Sequence, residues 1–257
     1  MTLLIQTLTL ARRSVVNTLR QPASLVPAIA FPLMFMAVTV AGAGRAANIP
    51  GFPAKSYLDF YLAGALVNGT LLGGISAGTA LAVDIEQGFV RRLLLTPLQR
   101  PAVLIGHVSG SMLVGLIQGT VILGAGIAAG ARVRAGVAGV VLVVIIAMLV
   151  SLTFSSIGAL IAARTGSSEA TQSVFPLFFI VMIFSSYFMP RNFINVDWFR
   201  YMATYNPVTY MIEAMRSLIT KGWDSRALGL GFAAVFGLAS VGFLAAAGSL
   251  RKRLERT

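Results

Sequence analysis

Six stretches of this chain run without Asp, Glu, Lys or Arg: 21–44, 60–83, 101–131, 135–163, 170–190 and 227–250. A helix needs roughly 20 apolar residues to cross the hydrocarbon core, and each stretch is long enough. In lipid, backbone groups must be satisfied internally, which leaves helices or closed barrels. Barrel strands are about ten residues long with strict alternation, whereas these runs are longer and apolar on both parities. The pattern therefore predicts an all-α polytopic membrane protein with six transmembrane helices.

Composition supports lipid as the main solvent. Charged residues make up 11% of the 257 residues, against about 25% in an ordinary soluble domain. The formal net charge of +12 raises nucleic acid as a partner. The basic residues, however, sit in the gaps between apolar runs and in the tail, as membrane-flanking anchors do, so nucleic acid is set aside and membrane lipid retained. No cysteine is present, which excludes disulfides, thiolate catalysis and cysteine metal sites. His107 is the single histidine and cannot form a metal cluster alone. In the opening "MTLLIQTLTLARR" the arginines follow the apolar residues, the reverse of a signal peptide.

An even number of spans puts both ends on one side. With that side cytoplasmic, eleven basic residues lie inside, including Arg12, Arg13, Arg91, Arg92 and the tail, against nine outside. Residues 1–20 form a separate element. Leu4, Leu8, Ala11, Val15 and Leu19 share one helical face, opposite Gln6, Arg13, Asn17 and Arg20. Such a helix, halted or turned by Pro22, is expected to lie in the membrane interface.

Glycine pairs four apart recur at Gly69/Gly73, Gly74/Gly78, Gly106/Gly110, Gly115/Gly119 and Gly126/Gly130. This spacing lets helix backbones approach closely, either within the chain or across a dimer. No span interior carries Asp, Glu, Lys or Arg, which counts against an ion-coupled transporter and against an intramembrane enzyme working by acid–base pairs. Polar residues there, such as Asn68, Gln118, Ser151, Thr153 and Gln172, bond neighbouring helices or line a path.

Residues 191–222 are too long for a turn and too apolar for a free loop. In "YNPVTYMIEAMRSLITKG", Asn206 is placed as an N-cap and Pro207 at the first helical position. Val208, Ile212, Met215 and Ile219 form an apolar stripe, Glu213 and Arg216 are spaced to pair, and Gly222 is placed to end the helix. Trp198, Phe199, Tyr201 and Tyr205 upstream are of the types found at headgroup level. The segment predicts a re-entrant outer hairpin before the last span.

Between the second and third spans stands "DIEQGFVRRLLLTPLQRPAVLIGH", residues 84–107. Ile85, Phe89 and Leu93 share a helical face, and Asp84, Gln87 and Arg91 another. Thr96 precedes Pro97 and is pushed out of the helical region, so the helix should end near Leu95. A glycine inside a helix costs about 1 kcal/mol against alanine. Gly88 therefore points to a close backbone approach or to a break. A short, partly apolar surface helix suits docking into a partner's groove, and equally describes a plain loop helix on the membrane.

These residues carry a resemblance. The sequences at 84–106 and 205–216 resemble the membrane subunits of type-2 ABC transporters, most closely permeases of the daunorubicin-resistance kind. Asp84, Glu86, Gly88, Leu94, Thr96 and Pro97 are in register with the first motif, and Asn206, Pro207, Glu213 and Arg216 with the second. This chain carries Arg91 where relatives often carry an acid. The resemblance implies an interfacial helix at 1–20, six spans, a coupling helix at about 84–97 and a re-entrant outer gate. It also implies a second permease copy or paralogue, and a separate ABC ATPase subunit binding ATP and magnesium. No G-x-x-x-x-G-K-[ST] phosphate loop occurs in this chain. No catalytic, cofactor-binding or metal residue is therefore assigned to it. At the coupling stretch Phe89, Leu94 and Leu95 are expected as anchors, and Glu86 and Arg92 as orienting charges.

The expected role is the permease of an ATP-driven exporter in a prokaryotic plasma membrane, with both termini cytoplasmic. Drugs, lipids and lipid-linked molecules are the implied cargo. Polysaccharide or teichoic-acid export is the alternative, with an ion-coupled transporter or a membrane scaffold behind it. Phenylalanines gathered at 175, 178, 179, 184 and 188 lean towards apolar cargo, although a stripe of this kind more often serves helix packing.

Overall fold

A computed structural model describes Thr9, Arg12, Arg13, Val16, residues 22–89 and residues 100–254. Those residues are helical or in turns and irregular connections, with no strand among them. Helix α1 spans Pro22–Ala43, α2 Tyr57–Glu86, α3 Arg100–Ala128, α4 Gly136–Thr165 and α9 Ser225–Leu254. These five helices are long and apolar enough to cross a membrane.

The fifth charge-free run is built differently. It divides into α5, Ser168–Gln172, and α6, Phe175–Ile183, followed by turns to Pro190. Pro176 explains the break. It has no N–H to give the carbonyl four residues back, at Gln172, where α5 stops. Even so, residues 168–183 would cover about 24 Å if straight, at 1.5 Å per residue. Helix α7, Asp197–Tyr205, and helix α8, Pro207–Thr220, precede α9.

Helix α2 is the axis of the bundle. It packs against α1, α3, α4, α5 and α8, and α9 lies across α4 and α8. Its residues 60–67 are fully buried on every side, so no amphipathic stripe marks it. Small residues make this density possible. A Cβ on Gly78 would stand 2.6 Å from the Gly158 Cα of α4, and one on Gly115 of α3 would stand 2.6 Å from Ser151 Cβ. The Gly74/Gly78 and Gly115/Gly119 pairs thus serve packing within the chain. Val26 and Val38 on α1, Val137 and Val141 on α4, and Val241 and Leu244 on α9 remain exposed, as lipid-facing residues do.

The loops collect at two ends. At one end, the turn after α3 gives its Arg132 N–H to Asp59 at the start of α2 (3.0 Å). Its Arg134 and Ala135 N–H groups bond the last carbonyls of α8, at Ile219 and Leu218. At the other end lie the close of α2, the α4–α5 junction and the end of α9.

Candidate functional site

At the second end the coupling motif begins inside a span. Helix α2 continues through Asp84 and Ile85 to Glu86, and Gly88 then takes a left-handed conformation, φ +68°. Among the described residues nothing lies within 4 Å of where its Cβ would stand. Of the two explanations for this glycine, the break is the one observed. A helix running unbroken from Asp84 through Gly88, with Ile85 and Phe89 on one face, is therefore corrected, and Leu93 lies outside the described residues. The left-handed residue re-aims the chain after Gln87.

Asp84 holds three elements together. Its carboxylate accepts from Arg13 Nη1 and Nη2, both at 3.1 Å, and His107 Nε2 of α3 stands 3.1 Å from Oδ2. The Arg13 guanidinium also lies 3.8 Å over the Phe89 ring. The fork carries geometric specificity as well as charge, and it ties the N-terminal segment to the end of α2. Two residues on, Glu86 accepts from the Ser168 N–H (2.7 Å) and hydroxyl (2.9 Å). Its carboxylate is thereby committed to the start of α5. Asp84, Glu86, Gly88 and Phe89 thus gather where α2, α3, α5 and the N-terminal segment meet. Arg92, Leu94, Leu95, Thr96 and Pro97 lie outside the described residues, as does all of residues 1–20 except Thr9, Arg12, Arg13 and Val16.

The residues assigned to the outer gate do four different things. Asn206 caps α8, with Oδ1 accepting from Val208 N–H at 2.9 Å. Its amide simultaneously donates to the Val181 and Phe184 carbonyls that end α6, at 2.6 and 3.0 Å. One side chain therefore satisfies orphan groups at both helix termini. Pro207 occupies the first turn of α8, as expected. Gly222, φ +110°, closes the far end, its N–H reaching Ser217 O at 2.8 Å.

Glu213 and Arg216 do not pair. Glu213 takes both oxygens to Arg191, at 2.8 and 2.6 Å. Arg216 lies four residues after Ile212 and three before Ile219, so it follows the apolar stripe inward rather than the surface. It is 6% exposed. Nε donates to Phe60 O at 3.1 Å, and Nη2 to Ser186 O at 2.8 Å. The guanidinium sits 3.7 Å over the Phe60 ring. Burial pushes its pKa down, to about 9, with the field of Glu213 opposing the fall. It remains a cation at neutral pH. The expectation that Glu213 and Arg216 pair on the helix surface is thus corrected: Arg191 takes Glu213 and Arg216 turns inward.

A polar chain that sequence spacing does not reveal lies beside it. Tyr61 donates to the Tyr187 hydroxyl at 2.6 Å, Asn68 donates to the same oxygen at 3.2 Å, and Tyr57 bonds Phe188 O at 3.0 Å. These bonds fix the irregular end of the fifth run to α2. The roles of Arg13, His107 and Arg191 were equally hidden, since each partner lies more than twenty residues away. Only Arg216 left a signal, as a charge spaced on an apolar stripe. No cluster of three or more potential metal ligands occurs among the described residues.

The ABC-2 type transporter family profile matches residues 5–220, which includes both motif regions. The chain belongs to the ABC-2 type transporter family. Among its relatives is the daunorubicin resistance ABC transporter permease protein of Streptomyces coeruleorubidus. That protein is 28% identical over 212 residues, covering 79% of this chain and 72% of the relative. A probable doxorubicin resistance ABC transporter permease protein of Mycobacterium tuberculosis is 24% identical over 222 residues, covering 84% and 78%. As an ABC-2 type permease the chain is a membrane transport subunit, and its apolar helices suit that role.

Proposed function

We propose that this ABC-2 type permease forms the translocation pathway of an ATP-driven exporter for a drug-like, lipid or lipid-linked cargo. A separate ABC ATPase drives it, and a second permease copy or paralogue completes the pathway. The termini and the Asp84 cluster face the cytoplasm of a prokaryotic cell, and residues 191–222 form the outer gate. The six-span count includes the broken α5–α6 segment. The names of the resistance permeases support the cargo class.

The single observation that carries the reading is the Asp84 junction. The stretch expected to receive an ATPase starts where one carboxylate clamps Arg13 and His107, and where the next acid, Glu86, holds α5. A push on residues 89–97 would therefore reach α2, α3 and the fifth run together. Leu94 and Leu95 are the proposed anchors, Phe89 a third, and Arg92 an orienting charge. A contact of this kind depends on a few buried residues. Leu94→Asp or Leu95→Asp should leave permease content unchanged. Each should weaken copurification of the ATPase or uncouple hydrolysis from export, read by pull-down and export assay on matched membranes. Normal values of both would remove the coupling role from this stretch.

A further inference from the structure

A cavity of about 700 Å³ opens at the end of the bundle opposite the Asp84 cluster. Five cationic side chains line it: Arg191, Arg200, Arg216, Lys221 and Arg226. Two carboxylates face them, Glu213 and Asp224. Both are already engaged, Glu213 by the Arg191 fork and Asp224 by the N–H groups of Arg226 and Ala227 that begin α9. Arg200 pairs with Asp197 on its own helix. Among the described residues, Arg216, Lys221 and Arg226 take part in no ion pair.

Arg216 is the telling member. It is buried, and its hydrogen bonds go to the Phe60 carbonyl and to the Ser186 carbonyl and hydroxyl, all of them neutral. Glu213 acts on it only through its field, its oxygens being held by Arg191, so the desolvated charge has no ion-pair partner of its own and an anion in the adjoining cavity would offset the cost. Lys221 and Arg226 stand exposed at the rim, where they would meet the same anion. Guanidinium forks match phosphate oxygens in geometry. The volume falls within the range of about 300–1,000 Å³ typical of small-molecule sites, more room than inorganic phosphate needs. Apolar side chains of Phe60, Phe193 and Leu230 complete the wall and suit an organic body.

We propose that this cavity binds a phosphate ester, with Arg216 at its floor and Lys221 and Arg226 at its mouth. The ester is either the headgroup of an anionic lipid or a soluble phosphate ester. The site is independent of which cargo the permease exports.

The test uses the full-length chain purified in detergent. Native mass spectrometry would compare retention of phosphatidylglycerol with phosphatidylcholine of the same acyl chains. Thermal shift would be read with glycerol phosphate. Wild type should retain phosphatidylglycerol about tenfold better, a preference equal to about 1.4 kcal/mol. The Lys221→Glu/Arg226→Glu variant should lose it, because both residues are exposed and their reversal leaves the core intact. The Arg45→Glu/Lys55→Glu control makes the same charge change at exposed positions outside the cavity and should keep it. If glycerol phosphate stabilises wild type but not the cavity variant, and no lipid preference appears, the site stands and its ligand is the soluble ester. Equal behaviour of wild type and cavity variant with every probe would overturn the proposal, as would equal loss in the control.

Discussion

Replacing Asp84 with alanine should loosen the N-terminal segment from the bundle by a measurable amount. Buried hydrogen bonds to charged groups contribute about 1.5–3 kcal/mol each. The Arg13 side chain is 36% exposed and that of Asp84 13%. The fork therefore falls towards the exposed-pair value, about 1 kcal/mol. The His107 contact is buried on both sides and contributes about 1–2 kcal/mol to the α2–α3 junction. The Arg13 part governs release of the segment, and 1 kcal/mol corresponds to about a fivefold change in an opening equilibrium. The absence of cysteine allows a clean assay. A single cysteine at the half-buried Val16 would be labelled with maleimide under conditions where reclosing is fast relative to labelling, so that the rate reports the opening equilibrium. Labelling should be about five times faster with Asp84→Ala and intermediate with Asp84→Asn, which keeps one acceptor. Arg13→Ala should match Asp84→Ala, and the double variant should add little, giving a coupling of about 1 kcal/mol. Unchanged labelling in Asp84→Ala, or full additivity in the double variant, would refute the clamp.

Asn206→Ala removes a cap worth about 1 kcal/mol and leaves two carbonyls of α6 without their donor, about 1 kcal/mol each. The purified protein should melt roughly 6–12 °C lower, at about 2–4 °C per kcal/mol. Asn206→Ser keeps the cap alone and should recover part of the loss, so wild-type melting in both variants would contradict the double role. At the helix interface, Gly78→Ala should cost about 1–3 kcal/mol, because the new methyl meets the backbone of Gly158. Gly124→Ala, at an exposed position of α3, meets nothing within 4 Å among the described residues and should gain up to about 1 kcal/mol in helix propensity. Equal melting temperatures for the two glycine variants would rule out the close contact.

Much of the helical plan was legible because lipid imposes a one-dimensional rule. A span must be long, apolar and free of charge, and these properties can be counted along the chain. The Asn206 cap, the Pro207 start and the Gly222 stop were legible for a similar reason, since caps and breakers act on their own neighbours. Gly88 was half legible. A glycine in a helical pattern signals a break or a close approach, and the left-handed backbone decided for the break.

The partners were not legible. Arg13 and Asp84 are 71 residues apart, and Arg216 and Phe60 are 156 apart. No periodicity links such positions, and only the packing of α2 at the bundle axis brings them together. The local rule misled at Glu213 and Arg216. Spacing of three allows a surface pair, but Arg216 turns inward with the apolar stripe while Arg191 reaches Glu213 from another element. The sequence by itself determined the five long helices, the Asn206 cap, the Gly222 stop, and that lipid is the solvent. Those properties follow from local propensity and from hydropathy summed along the chain. Tertiary structure alone decided which charge answers which and where a cavity gathers unpaired cations. Coulomb and hydrogen-bond energies depend on distance through space, which order along the chain does not encode.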